Sequence, residues 1–273
     1  MKIYMKHKTK ILILIFLISL LCGWCVSCEK NTYYSPKWEK EDISAILEKE
    51  KFDESDYEIL LRQTGLSKSA VKDLAENGRK EEILDFEEQY FEKPSYKKEF
   101  LFFPIVACET KTDKPLKIAP LKRGDVLVSL STHSLGFRHG HSAIVVDGEK
   151  EKIIEHRVLG EVSTYSYAHY WKNCLTFAVL RYKDSEIAEK AAAYAEENLV
   201  GVSYNPLAGV IKKDKSKEDK ISSSHCSHLV WQAYCGAGAD IDGNGGKFVL
   251  PGDFLRCKDF EIVQIYGIKV REN

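Results

Sequence analysis

Two residues in this chain have the types and the setting for chemistry together, Cys226 and His141. The stretch His225-Cys226-Ser227-His228-Leu229-Val230-Trp231 reads as a helix start. Ser222 to Ser224 offer N-caps; Cys226, Leu229, Val230 and Ala233 fall on one apolar stripe; Gly236 and Gly238 supply a stop. A thiol in the first helical turn faces the positive end of the helix dipole, which lowers its pKa and favours thiolate. Some 85 residues earlier, Gly140-His141-Ser142-Ala143-Ile144-Val145 reads as a strand, and His141 is the best base in the chain. Alone, a Cys on an apolar stripe or a His on a strand reads as core. With a carboxylate to orient the ring, the pair becomes a nucleophile and its base.

Hairpin geometry suggests that carboxylate. Gly140 to Val146 is a strand, Asp147-Gly148-Glu149 a turn signal, and Lys152 to Val158 a second strand. A three-residue loop centred on Gly148 sets Glu155 directly opposite His141 on the same face. A two-residue turn on Gly148-Glu149 would set His156 there instead. The three-residue loop is common with Gly, and a carboxylate suits an orienting role, so Glu155 is the expected third member.

Blocks around these residues also carry a family resemblance. Gly124-Asp125-Val126-Leu127-Val128, Gly140 to Val145, Ile154-Glu155, Val179-Leu180-Arg181-Tyr182 and Cys226 to Tyr234 occur in that order. So arranged, the region from Leu116 to Val270 resembles the permuted papain-like cysteine hydrolases of the NlpC type, in particular the YiiX/YebB-like branch. In ordinary members the Cys precedes the His; here the His comes first, as in the permuted branch and the lecithin:retinol acyltransferase group. The resemblance implies Cys226 as nucleophile, His141 as base and Glu155 as the polar third residue. His225 and His228 depart from it, standing where an aromatic such as Tyr and a Glu are usual. Tyr204, in Tyr204-Asn205-Pro206, falls near the substrate groove in that comparison and is a substrate-wall candidate.

The elements that must position this set occupy the second half of the chain. The first 28 residues have a basic start (Lys2, Lys6, Lys8, Lys10), an apolar run from Ile11 to Leu21, and then Cys22 to Cys28. That run is short for a membrane span and fits a signal-peptide core. Val26-Ser27-Cys28 resembles the end of a bacterial lipobox, with Cys25 where Leu is usual. Lipidation at Cys28, simple cleavage and an uncleaved anchor all stay open. Losing four lysines takes the formal charge from −1 to −5, which gives no electrostatic case for a polyanion partner. Five cysteines remain (Cys108, Cys174, Cys226, Cys235, Cys257), a number compatible with one free catalytic thiol and up to two disulfides, or with reduced core thiols.

Residues 36–94 read as an acidic helical domain: Ser55-x-x-Glu58 as a capping box, Ser67 capping a helix that Gly78 ends, and Glu81 to Phe91 stopping before Pro94. Tyr57, Leu60, Leu61, Val71, Leu74, Ile83, Phe86 and Tyr90 are its expected core. Gln63 to Val71 superficially resembles a helix-turn-helix corner, but 9 basic against 17 acidic residues between Glu39 and Lys93 exclude a DNA-binding face. Phe100 to Ala107 reads as an edge strand because of Pro104. Asp184 to Leu199 reads as an Ala-rich helix and Lys212 to Lys220 as a charged loop. Asp240-Ile241-Asp242-Gly243-Asn244-Gly245 matches half of a calcium loop, but position 12 is Pro251, so an Asx-rich turn is the expectation. No zinc spacing or phosphate-cradling loop is present, and no metal or cofactor is expected.

The expectation is an α+β fold: a signal or lipoprotein segment (1–28), a helical domain (36–94) and a papain-like domain (100–273). Its strands are Val126-Leu130, His141-Val146, Lys152-Val158, Thr176-Tyr182 and Ile262-Val270. The expected activity is thiol-dependent amide hydrolysis by an exported protein of the cell envelope, either a membrane-anchored lipoprotein or secreted, with cell-wall peptides as substrates. The alternatives are a lipid acyl or amide hydrolase or acyltransferase, and a non-catalytic wall-binding protein.

Overall fold

The computed structural model describes residues 33–102, 106–134, 137–209, 221–246 and 248–269, with a few N-terminal helical residues between 13 and 21. Cys28 and the cleavage region, Pro104, and the charged run 212–220 lie outside the described residues.

The architecture is mixed α+β, built on antiparallel pairing. Four helices lead: α1 (Ser44–Leu47), α2 (Glu54–Thr64), α3 (Lys68–Glu76) and α4 (Glu82–Phe91). A small sheet follows from β1 (Tyr96–Phe102), β2 (Val106–Lys111) and β4 (Thr132–Ser134), in the order β1-β2-β4. The six-stranded sheet holds β3 (Val126–Ser129), β5 (His141–Asp147), β6 (Lys152–Glu155), β7 (Thr164–Tyr167), β8 (Phe177–Tyr182) and β11 (Phe260–Tyr266), in the order β11-β8-β3-β5-β6-β7. Helix α5 (Ser185–Asn198), the short strands β9 (Ser203–Tyr204) and β10 (Ser223–Ser224), helix α6 (Cys226–Gly236) and the turn α7 (Pro251–Phe254) complete it.

Successive strand residues point to opposite faces, and both faces of the large sheet are buried. Val126, Val128, Ile144, Val146, Ile154, Ala178 and Leu180 pack with α5 and α6. Leu127, Ala143, Val145, Ile153, Phe177 and Val179 pack with the leading helices through Leu60, Leu66, Val71, Leu74, Ile83 and Phe86. This two-sided burial explains the near-continuous apolar runs of β3, β5 and β8. The leading helices therefore close the sheet instead of surrounding a core of their own. Leu61 is exposed, and Tyr90 packs with the α5–α6 side. The α2–α3 corner is bonded to β11, Ile265 N–H to Gly65 O (2.8 Å) and Ser67 N–H to Val263 O (2.9 Å). Behind it, Arg181 of β8 makes a fork to Asp125 (2.8 and 2.9 Å) and reaches Asp73 of α3 at 3.0 Å.

Local chemistry corrects several expectations. The α2 capping box is Asp53 with Asp56, not Ser55 with Glu58, because Asp53 Oδ1 accepts from Asp56 N–H. Ser67 caps α3 as expected. The single strand expected over Phe100 to Ala107 is instead split between β1 and β2, which pair as a hairpin. Asp240 to Gly245 forms successive Asx turns, with Asp240, Asp242 and Asn244 accepting from backbone N–H two residues on.

Candidate active site

His141 opens β5. Gly140 before it has φ +75°, and a Cβ there would stand 2.4 Å from Ser129 O, so the turn into the strand requires glycine. The β5–β6 loop is four residues, 148–151, longer than expected. Asp147 Oδ1 accepts from Lys150 N–H at 3.0 Å, and Glu151 takes φ +51°. Glu155 is consequently opposite Ala143, not His141, which corrects the expected register by two residues. A slip of two keeps the face, so Glu155 lies diagonally beside His141 and its Oε2 bonds His141 Nε2 at 2.9 Å. His156 points elsewhere: its Nε2 donates to Glu161 O at 3.4 Å, and its ring meets Tyr204 edge-on with centroids 5.0 Å apart.

The ring of His141 is stacked on Trp171, with centroids 4.9 Å apart and planes 18° from parallel. Trp171 sits in a short 3-10 helix (Ala168–Asn173) and is itself buried. With Nε2 committed to Glu155, Nδ1 is the ring atom left for Cys226.

Cys226 is the first residue of α6, which packs against α5 and β5. The helix cap is His225, not Ser222 to Ser224: its Nδ1 accepts from His228 N–H at 3.4 Å. Ser223 and Ser224 are unavailable as caps because they pair in parallel with Ser203 and Tyr204. From Cys226 to Tyr234 every residue of α6 is buried, and Tyr234 Oη donates to Gly124 O at 2.6 Å, anchoring the helix to the sheet.

The electrostatics of the pair run in opposite directions. Burial works against charge on His141, but the Cys226 thiolate and the Glu155 carboxylate raise it from 6.5 to about 10. Burial likewise opposes a charged sulfur, yet the neighbouring rings of His141 and His225 bring Cys226 well below an ordinary thiol. Against its own burial, Glu155 is held below the usual carboxylate range by His141 and Ser166. The three groups together favour thiolate, imidazolium and carboxylate at neutral pH. Three other thiols behave oppositely: burial raises Cys108 and Cys257, and pushes Cys174 up to about 12. None of the five described cysteines is in a disulfide.

Tyr204 lies beside this group, raised to about 12 by burial and by the Cys226 charge. The ring of His228 bridges Ser224 Oγ (3.0 Å) and Gln232 Nε2 (3.3 Å). The sequence reading missed Trp171, Ser166 and the capping role of His225. Trp171 comes from an irregular segment without periodicity, and His is not among the residues that commonly cap a helix N-terminus, so neither role carried a sequence signal. No cluster of metal-ligating side chains occurs among the described residues. Compared with known proteins, the chain matches no family model, no curated protein and no solved structure.

Proposed function

We propose that this protein is a thiol hydrolase that cleaves amide bonds, with Cys226 as nucleophile, His141 as base and acid, and Glu155 as the group that orients His141. The observation that carries this reading is the convergence of a helix-start thiol and a strand imidazole whose far nitrogen is held by a buried carboxylate at 2.9 Å. In the reaction the Cys226 thiolate attacks the carbonyl carbon, and the N–H groups of Cys226 and Ser227 at the start of α6 receive the oxyanion. His141 gives its proton to the leaving nitrogen as the C–N bond breaks, leaving a thioester on Cys226. It then takes a proton from water, which attacks the thioester and releases the acid.

The order of the His strand and Cys helix supports a permuted papain-like fold for 100–273, and the N-terminal segment supports export, with anchoring through Cys28 or the apolar run. Cell-wall peptides are then the substrate class. One observation favours lipid amides or acyl esters as the second reading: the segment after Glu155 carries exposed Val158, Leu159 and Val162. Incubating the mature protein and its Cys226→Ala variant with wall fragments and with lipid extracts, followed by mass spectrometry, tests both. A hydrolysed amide in wall fragments, absent with the variant, supports the first reading. Turnover of lipid alone moves the function to the second, and no turnover of either leaves a binding protein.

A further inference from the structure

His225 is buried and held on every side. Its ring stacks on Phe248, with centroids 5.6 Å apart and planes 22° from parallel, and lies 5.6 Å from the ring of His228. Its Nδ1 is an acceptor, because it takes the His228 N–H that closes the α6 cap. Ser227 Oγ, 3.3 Å from the same nitrogen, spends its single proton on Val249 O at 2.8 Å and so does not compete for the acceptor role. The ring proton of His225 therefore sits on Nε2. That nitrogen is shut off from solvent and has no hydrogen-bond partner, although the residue is only 5% exposed. A buried donor left unmet is costly, and a fold rarely tolerates one without use.

The sulfur of the next residue, Cys226, is within interaction range of the His225 ring and is an acceptor as thiolate. We infer that His225 is a second donor to the nucleophile, its Nε2–H directed at Cys226 Sγ while its Nδ1 caps the helix. One ring then does two things at the helix start: it fixes the first turn through one nitrogen and stabilises thiolate through the other. The inference rests on the thiolate reading of Cys226 above and adds a residue that the resemblance did not imply, since an aromatic without this donor pair was expected there. The ring of His225 interacts with Cys226 strongly enough to help hold its thiol down. The other titratable groups facing the sulfur are His141 from β5, His156 after β6 and Tyr204 from β9; His228 of α6 faces His225. Of these, His141 is bonded to Glu155 and His156 to Glu161 O, so neither satisfies the His225 donor.

His225→Asn separates the two roles. Asn is among the best N-caps, and its Oδ1 can replace Nδ1, but nothing replaces Nε2–H. The readout is the pH dependence of Cys226 alkylation by iodoacetamide, which needs no substrate. Wild-type protein should show a midpoint well below about 8.5, the ordinary thiol value. His225→Asn should raise that midpoint by about one pH unit, about tenfold slower alkylation on the acid side, with melting little changed. An unchanged midpoint in a folded His225→Asn protein overturns the inference while leaving the nucleophile intact. A wild-type midpoint near 8.5 overturns the thiolate reading itself, and this inference with it. If the variant does not fold, the ring tautomer of wild-type protein decides: nitrogen-15 NMR should find the His225 proton on Nε2, and a proton on Nδ1 refutes the claim.

Discussion

Replacing Glu155 by Gln removes one charge and no volume, so its effect can be worked from the contact it alters. Glu155 is 3% exposed and accepts from His141 Nε2 at 2.9 Å. A hydrogen bond to a charged group contributes about 1.5–3 kcal/mol and a neutral one about 0.5–1.5, so the amide should lose about 1–2 kcal/mol of support for imidazolium. His141, now near 10, should fall by about one unit, and the Cys226 thiol should rise because its cationic partner is weaker. Turnover at neutral pH should drop at least about tenfold. His156→Gln should cost less than about threefold, since His156 bonds Glu161 O and not His141. Cys226→Ala should be the most severe of the three. The assay is turnover against pH for all variants, with thermal melting to confirm folding. Turnover of Glu155→Gln within about twofold of wild type, or a His156→Gln variant that is the more damaged, would refute the assignment of Glu155.

Among the five cysteines, iodoacetamide at neutral pH should mark Cys226 first, because burial raises Cys108, Cys174 and Cys257; peptide mapping by mass spectrometry reads the order. The thiolate–imidazolium pair holds one proton, the same number that neutral His and Cys hold in the unfolded chain between about pH 6.5 and 8.5. Its contribution to stability should therefore be flat in that window. It should fall by about 1.4 kcal/mol per unit below it, where the unfolded state binds the extra proton, and fall again from about 8.5 to 10, where the native pair retains one. Urea unfolding of wild type against Cys226→Ala, as a function of pH, checks the shape. Arg181→Leu strands the Asp125 carboxylate, itself 1% exposed, and should cost about 3–5 kcal/mol in the same assay. If the N-terminal segment directs export, the mature protein should begin at Cys28, with or without lipid; N-terminal peptide analysis that recovers Met1 refutes this and favours the uncleaved anchor.

Much of the site was legible because it depends on periodicity alone. The first-turn position of Cys226 and the strand position of His141 follow from apolar spacing. Glu155 was found through a wrong register that happened to preserve parity. The turn residues could not reveal that Asp147 would cap Lys150 and that Glu151 would take a left-handed backbone, lengthening the loop to four residues. The stack on Trp171 was invisible, since the 3-10 helix that presents it has no repeating pattern. The serines before Cys226 looked like caps in isolation; their pairing with Ser203 and Tyr204 is a long-range fact that removed them and left the cap to His225. The leading helices read as a domain with its own core because their amphipathic faces are strong. The sequence alone does not show that the opposite partner is a sheet buried on both sides.

The central claim is that Cys226 stands as a thiolate paired with protonated His141. The difference in absorbance near 240 nm between wild type and Cys226→Ala, titrated with pH, measures that thiolate directly. The thiolate signal should be already full at neutral pH and persist well into the acid range. A signal that develops only around pH 8.5, as for an ordinary thiol, would contradict it.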